Sequence, residues 1–241
     1  MKEPAQGWSR DEFVGRCLQR PVYRLQDWHA AAEVLAAARA QHNWMIETRV
    51  PVDQVALLAQ ATAAGFRVID TNVQLDCARA ELAKLPLTSS AWRIRHAQPD
   101  DRDVVRELCA AQMTTSRFHL DPRIDAEASS RVKREWVGNF FDGQRGDHLY
   151  LVDTRDGVAG FLLVLERAAL GVIDLIAVEP RVRGTGAAGA LVATWCAESS
   201  HLERIVVGTQ ISNTRSLRAY GRLGFRVCSA THVLHRHPAD D

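Results

Sequence analysis

The chain has 241 residues, 46% of them hydrophobic and 24% charged, with a formal net charge of +1. That length allows one large domain or two smaller ones with a proper core. The balanced charge argues against a field built for nucleic acid and against an acidic tail. In chain order, the first segment, MKEPAQGWSRDEF, has no apolar stretch behind Lys2, so a signal peptide is not expected. Nor does any apolar run reach the ~18–20 residues that a bilayer crossing needs, so a cytoplasmic protein without a membrane partner is expected. Asp27 is placed to cap a helix running to about Gln41, with Trp28, Val34 and Leu35 as its apolar stripe. WMIETRVPV, from Trp44 to Val52, reads as a strand. DQVALLAQATAAG reads as a helix stopped by Gly65, and FRVIDTNVQLDCA as a strand favoured by its β-branched residues. Glu81 to Trp92, with Pro86 and paired serines, reads as a linker.

From Trp92 the pattern alternates between strand and helix. WRIRHA is a strand and PDDRDVVRELCAAQM a helix with acidic residues in its first turn. The polar segment TTSRFHLDPRID leads to the helix AEASSRVKREWVGNFF. HLYLVDT and VAGFLLVLE form a hairpin turned by Arg155, Asp156 and Gly157. The near-continuous apolar run GVIDLIAVEP implies a strand buried on both faces. A glycine-rich turn, RVRGTGAAG, follows, then the helix GALVATWCAESS, the strand RIVVGTQ, the helix NTRSLRAYGRLG and the strand FRVCSATHVLHRH.

Gly65-Phe66-Arg67-Val68 echoes Gly224-Phe225-Arg226-Val227. In that ungapped register Ile46 falls on Ile205, Gln54 on Asn213, Ala61 on Tyr220 and Leu75 on Leu234. The first half therefore reads as a degenerate copy of the last unit, packing positions kept and polar ones lost. A shared strand-helix-strand grammar arising by chance is the alternative.

Two segments carry chemistry. In IAVEPRVRGTGAAGALV, glycines at a helix start allow close approach of a ligand, and successive amides there form an anion site. It lacks the GxxxxGK[ST] of a phosphate loop and the third glycine of a dinucleotide fingerprint; a glycine cap without a ligand is the plain alternative. In NTRSLRAYGRLGF, Asn213 is a good N-cap, and Ser216 and Tyr220 lie four apart on one helix face. A helical tyrosine is otherwise usually a core residue with a wet hydroxyl.

Arg183, Gly186 and Ala188 match the R/Q-x-x-G-x-G/A signature of the GNAT superfamily of N-acetyltransferases, which the sequence resembles. The resemblance implies an acetyl-CoA site. The amides of Arg183, Gly184, Thr185, Gly186, Ala187 and Ala188 would hold the pyrophosphate, and the edge backbone of Ile176, Ala177 and Val178 would pair with the pantetheine arm. Asn213, with Ser216, would complete that site, and Tyr220 would protonate the departing thiolate. From about residue 44 to the end, AAQMTTSRFHLDP, EWVGNFF and VGTQISNTRSLRAY also resemble the bacterial dTDP-fucosamine acetyltransferase family. The implied acceptor is then the amine of a dTDP-4-amino-4,6-dideoxyhexose, attacking acetyl-CoA directly in a ternary complex during polysaccharide precursor synthesis. The other readings are a GNAT enzyme for a peptide N-terminus, polyamine or aminoglycoside, or a silent coenzyme-A-binding module.

The resemblance further implies an acceptor pocket around Arg117, Phe118 and His119, guanidinium to diphosphate and ring to thymine or sugar; a loop arginine beside a buried phenylalanine is the alternative. Asp70, on the last strand of the first half, is the expected general base, against the reading of a turn or edge-strand aspartate. The expected fold is α/β, a GNAT sheet over residues 89–241 preceded by a smaller, degenerate GNAT-like half-domain over residues 1–88. No metal is expected: His232, His235 and His237 lie on one terminal strand at spacings that do not converge on a tetrahedral ion. The five cysteines lack CxxC spacing and read as free thiols. The partner is a small-molecule amine rather than nucleic acid, and a homodimer is left open.

Overall fold

The computed structural model describes residues 7–82 and 92–238. Its strands are β1 (Trp8–Arg10), β2 (Val22–Leu25), β3 (Met45–Pro51), β4 (Arg67–Ala78), β5 (Arg93–His96), β6 (His148–Thr154), β7 (Gly157–Arg167), β8 (Leu170–Val178), β9 (Arg204–Gln210) and β10 (Arg226–Arg236). The helices are α1 (Glu12–Leu18), α2 (Ala31–Arg39), α3 (Val55–Ala63), α4 (Arg79–Leu82), α5 (Arg102–Gln112), α6 (Arg117–Leu120), α7 (Ala126–Phe141), α8 (Ala187–Glu198) and α9 (Thr214–Arg222). The helix starts follow their caps: Asp11 accepts from Val14 N at 3.0 Å, and Asp125 accepts from Ala128 N at 2.7 Å. No helix among the described residues is long and apolar enough to cross a membrane.

All ten strands join one sheet in the order β1-β2-β3-β10-β4-β9-β8-β7-β6-β5. The expected division after residue 88 lies outside the described residues, and the sheet runs unbroken across the two halves. The echo is fully expressed in the elements: Met45–Pro51 falls on Arg204–Gln210, Val55–Ala63 on Thr214–Arg222, and the start of β4 on that of β10. The two units exchange their second strands. β4 leaves its own β3 and pairs with β9, while β10 pairs with β3. β4 and β10 then lie side by side, each with one unmatched residue, Ile69 and Cys228, at equivalent positions. Such bulges strengthen the local twist.

The strand buried on both faces is β7, not β8. Leu162 and Val164 of β7 pack towards α8 with Trp195 and Leu191, whereas Phe161 and Leu163 pack towards α5 and α7 with Val105 and Val137. β8 alternates between buried and half-buried positions from Leu170 to Leu175 and is half-buried throughout Ile176 to Val178. Gly171 on β8 is required by close packing: a Cβ there would stand 2.7 Å from the Trp195 ring. The hairpin of β6 and β7 turns at Arg155 and Asp156, with Gly157 in the left-handed region at φ 101°.

Candidate acyl-transfer site

The sheet forks between β8 and β9. Their parallel pairing runs from Leu170↔Arg204 to Ile173↔Val207 and stops there, although β8 continues to Val178 and β9 to Gln210. The cause lies at Asp174, left unmatched where the β7–β8 register steps from Val164↔Ile173 to Leu163↔Leu175. A bulge at that point turns β8 away from β9. The Asp174 carboxylate is held by Arg145 through two bonds of 2.7 and 2.6 Å and by Trp136 Nε1 at 3.0 Å. Ile176, Ala177 and Val178 pair with β7 on one side only, so their other edge faces the fork.

At the end of β8 the chain turns through Pro180–Val182 into the glycine loop. Gly184 and Gly186 sit at φ 77° and 92°, and a Cβ on either would meet nothing within 4 Å. Glycine is required there by backbone conformation, over open space. Among the described residues, no backbone or side-chain acceptor lies on the amides of Gly184, Thr185, Gly186, Ala187 or Ala188. α8 has no acidic residue in its first turn and no side chain capping it, so the positive end of its dipole is uncompensated. Arg183 departs from the expected set. Its amide bonds Pro180 O at 3.2 Å, and its guanidinium bonds Val178 O at 3.2 Å and Gln112 Oε1 at 2.6 Å. It fastens the end of β8 to α5.

The first half has the same strand pair without the loop. β2 and β3 run parallel from Val22↔Met45 to Leu25↔Thr48, the counterpart of the β8–β9 pairing. Where α8 has open amides, this half has Asp27, whose carboxylate accepts from His29 N at 3.0 Å. A carboxylate at that position repels an anion.

Across the fork, Asn213 caps α9. Its Oδ1 accepts from Ser216 N at 3.2 Å and its Nδ2 donates to Thr209 Oγ1 at 3.3 Å, so both ends of the amide are engaged within the protein. Ser216 is half-buried one turn before Tyr220. Tyr220 is buried, with its ring 5.5 Å from that of Phe225, in the core shared with α8 and β9. Burial pushes its phenol well above the ordinary range, and so keeps it protonated. Its counterpart Ala61 is a buried packing residue, and Gln54, opposite Asn213, makes no side-chain cap.

The segment expected to meet the acceptor forms the short helix α6, and two of its three candidates turn inward. Arg117 Nε bonds Glu47 Oε2 at 2.8 Å, and both residues are buried. Burial alone would raise the Glu47 carboxyl, but Arg117, then His235 and Arg49, hold it down at about 2. Phe118 is fully buried beneath the Arg117 guanidinium, 4.2 Å from ring centroid to Cζ. Neither presents a free group to a nucleotide sugar, because the apolar core beneath α6 claims the ring and Glu47 claims the charge. His119 differs: its Nδ1 lies 2.8 Å from Ser116 Oγ, and its Nε2 is buried without a partner. Asp70 is buried on β4, its carboxyl raised by desolvation against a bond from the Thr71 amide.

His235 and His237 do converge, contrary to expectation, and they do so on a carboxylate. His235 Nδ1 and His237 Nε2 lie 2.7 and 2.8 Å from Asp121 Oδ2, and all three side chains are buried. Two apart, His235 on β10 and His237 one residue past its end, the histidines share one face. Asp121, at the C-terminal cap of α6, reaches between them. The three donor atoms lie within 4.8 Å of one another, but at these separations they bond directly as imidazole N–H to carboxylate.

The acetyltransferase (GNAT) family matches residues 111–225. Over 147 residues the chain is 29% identical to the spore coat polysaccharide biosynthesis protein SpsD of Bacillus subtilis (strain 168), a match covering 60% of this chain. The match covers 50% of that relative, so the chain spans about half its length. A functionally unknown conserved protein of Staphylococcus epidermidis ATCC 12228 superposes with a TM-score of 0.67 at 12% identity, over 98% of this chain and 92% of that one. A tandem GNAT protein from the clavulanic acid biosynthesis pathway, without AcCoA, superposes at 0.60 and 13% identity, over 90% and 75% of the two chains. At such identities the likeness is one of fold: a GNAT fold preceded by a second, smaller GNAT-like half.

Proposed function

Residues 111–225 belong to the acetyltransferase (GNAT) family, and from that premise we propose that the protein moves acetyl from acetyl-CoA to the primary amine of a nucleotide-linked amino sugar. The carrying observation is the row of unclaimed amides from Gly184 to Ala188, at the start of α8 and beside the fork. A pyrophosphate placed there gains several N–H donors and the helix dipole together. The pantetheine arm then runs down the open edge of Ile176 to Val178, opposite Asn213 and Ser216. The thioester reaches the fork near Tyr220, whose protonated phenol supplies the proton that the leaving thiolate takes. The transfer is direct, in a ternary complex.

The acceptor is a dTDP-4-amino-4,6-dideoxyhexose, in polysaccharide precursor synthesis. With Arg117 and Phe118 turned inward, support for the sugar comes from the likeness to the Bacillus spore coat polysaccharide biosynthesis protein and from the sequence likeness along Ala110 to Pro122 and Val207 to Tyr220. A thiol-release assay over dTDP-amino sugars, polyamines, aminoglycosides and peptide amines tests it. Turnover of the nucleotide sugar above all others is expected. Preference for a cationic amine moves the protein to another GNAT substrate class.

A further inference from the structure

An amine arrives at the fork as an ammonium, and the acyl transfer proposed above requires that it lose a proton before attack. Beside α7, His119 Nε2 is buried without a hydrogen-bond partner among the described residues. The Lys133 ammonium is 6% exposed and lies over the Trp136 ring at 5.1 Å. A buried ammonium is costly to hold, and burial pushes Lys133 down to about 8.

Contacts along α7 place both groups. One turn before Lys133, Ser129 Oγ bonds Phe118 O at 2.8 Å and ties α6 to α7. One turn after it, Trp136 bonds Asp174 in the β8 bulge. Lys133 therefore lies between α6 and the root of the fork. α6 also packs on β4, the strand beyond β9. The contact between His119 Nδ1 and Ser116 Oγ holds the ring and leaves Nε2 as the remaining nitrogen, a base in the tautomer whose Nδ1–H donates to Oγ.

We infer that His119 is the base of the transfer, its Nε2 taking a proton from the acceptor ammonium. Burial, then the charge of Lys133, hold His119 below its ordinary 6.5. The charged groups on neighbouring elements are Lys133 on α7, Asp70 on β4, Glu47 on β3 (paired with Arg117 of α6), His235 on β10 and Asp121 at the end of α6; of these only Lys133 displaces the imidazole. The ammonium gives one proton to Nε2, and the neutral nitrogen forms the C–N bond to the acetyl carbonyl carbon. As the C–S bond breaks, the thiolate takes the Tyr220 proton, and the second proton leaving nitrogen restores the phenol. His119 returns its proton to water, so the products are the amide, free coenzyme A and one proton.

The test is the pH profile of kcat/KM, measured with whichever panel amine the wild type acetylates, beside an NMR titration of the His119 ring. In the wild type, the acid limb and the His119 titration are expected to coincide below 6.5. H119Q is expected to lower kcat by about 10²-fold, abolish that limb and leave acetyl-CoA affinity unchanged. K133M, which retains His119, is expected to raise both the titration and the limb, and it carries the test if H119Q does not fold. A limb unmoved in H119Q and K133M, or one removed by D70N instead, overturns the assignment. Turnover of no amine at all overturns the acyl-transfer reading and this base with it.

Discussion

Asn72 and Thr231 face each other across β4 and β10, and they occupy equivalent positions in the two halves of the chain. Pairings on either side repeat about that point: Pro51 meets Thr231 as Gln210 meets Asn72, and Val52 N bonds Ala230 O as Ile211 N bonds Thr71 O. The halves are thus related by a local two-fold exchange of strands, and each lacks a complete sheet alone.

That exchange predicts the behaviour of a fragment. A chain beginning at residue 92 leaves β9 and β10 without the strand that lies between them, exposing unpaired edges. Urea unfolding followed by circular dichroism should show no cooperative transition for it. A stable, cooperative fragment would contradict the exchange.

The Arg117–Glu47 pair ties α6 to β3, and removing one member leaves a buried charge uncompensated. E47Q should destabilise the protein by about 3–5 kcal/mol, read as a shift in urea midpoint. The pH dependence has a definite sign. Glu47 is depressed from an ordinary 4.5 to about 2, so its contribution is complete above pH 4.5 and is lost as pH falls towards 2. The wild type should lose on the order of 3 kcal/mol of stability across that window from this group. The E47Q protein should lack that component of the acid loss.

Tyr220→Phe should lower kcat by about 10²–10⁴-fold, the range for general-acid catalysis, with little change in the affinity for acetyl-CoA. Rapid-quench turnover alongside calorimetry checks both. Near-normal turnover removes the phenol from the reaction.

Much of this architecture was legible in the sequence because it is local. The glycine loop, the Asn213 cap and the Gly-Phe echo are short patterns whose chemistry is fixed within one turn of helix or strand. The strand exchange was not legible, since Val73, Leu75 and Cys77 alternate inward whichever strand lies beside β4. The inward turn of Arg117 and Phe118 is not legible locally, because a polar segment hides the pairing with Glu47, 70 positions away. Likewise the histidines of the last strand find Asp121 from 114 and 116 positions off, a contact that no local spacing reports. His119 enters from the sequence only through the acceptor pocket that the family resemblance implies, and its unpartnered nitrogen becomes visible only once Ser116 is seen to hold the other.

Calorimetric titration with coenzyme A, and with pantetheine lacking the pyrophosphate, addresses the glycine loop most directly. Binding of coenzyme A is predicted, with pantetheine at least about tenfold weaker, a difference of roughly 1.4 kcal/mol, and with that difference lost when Gly186→Val distorts the loop. Equal affinity for the two ligands, or none for coenzyme A, would contradict the account.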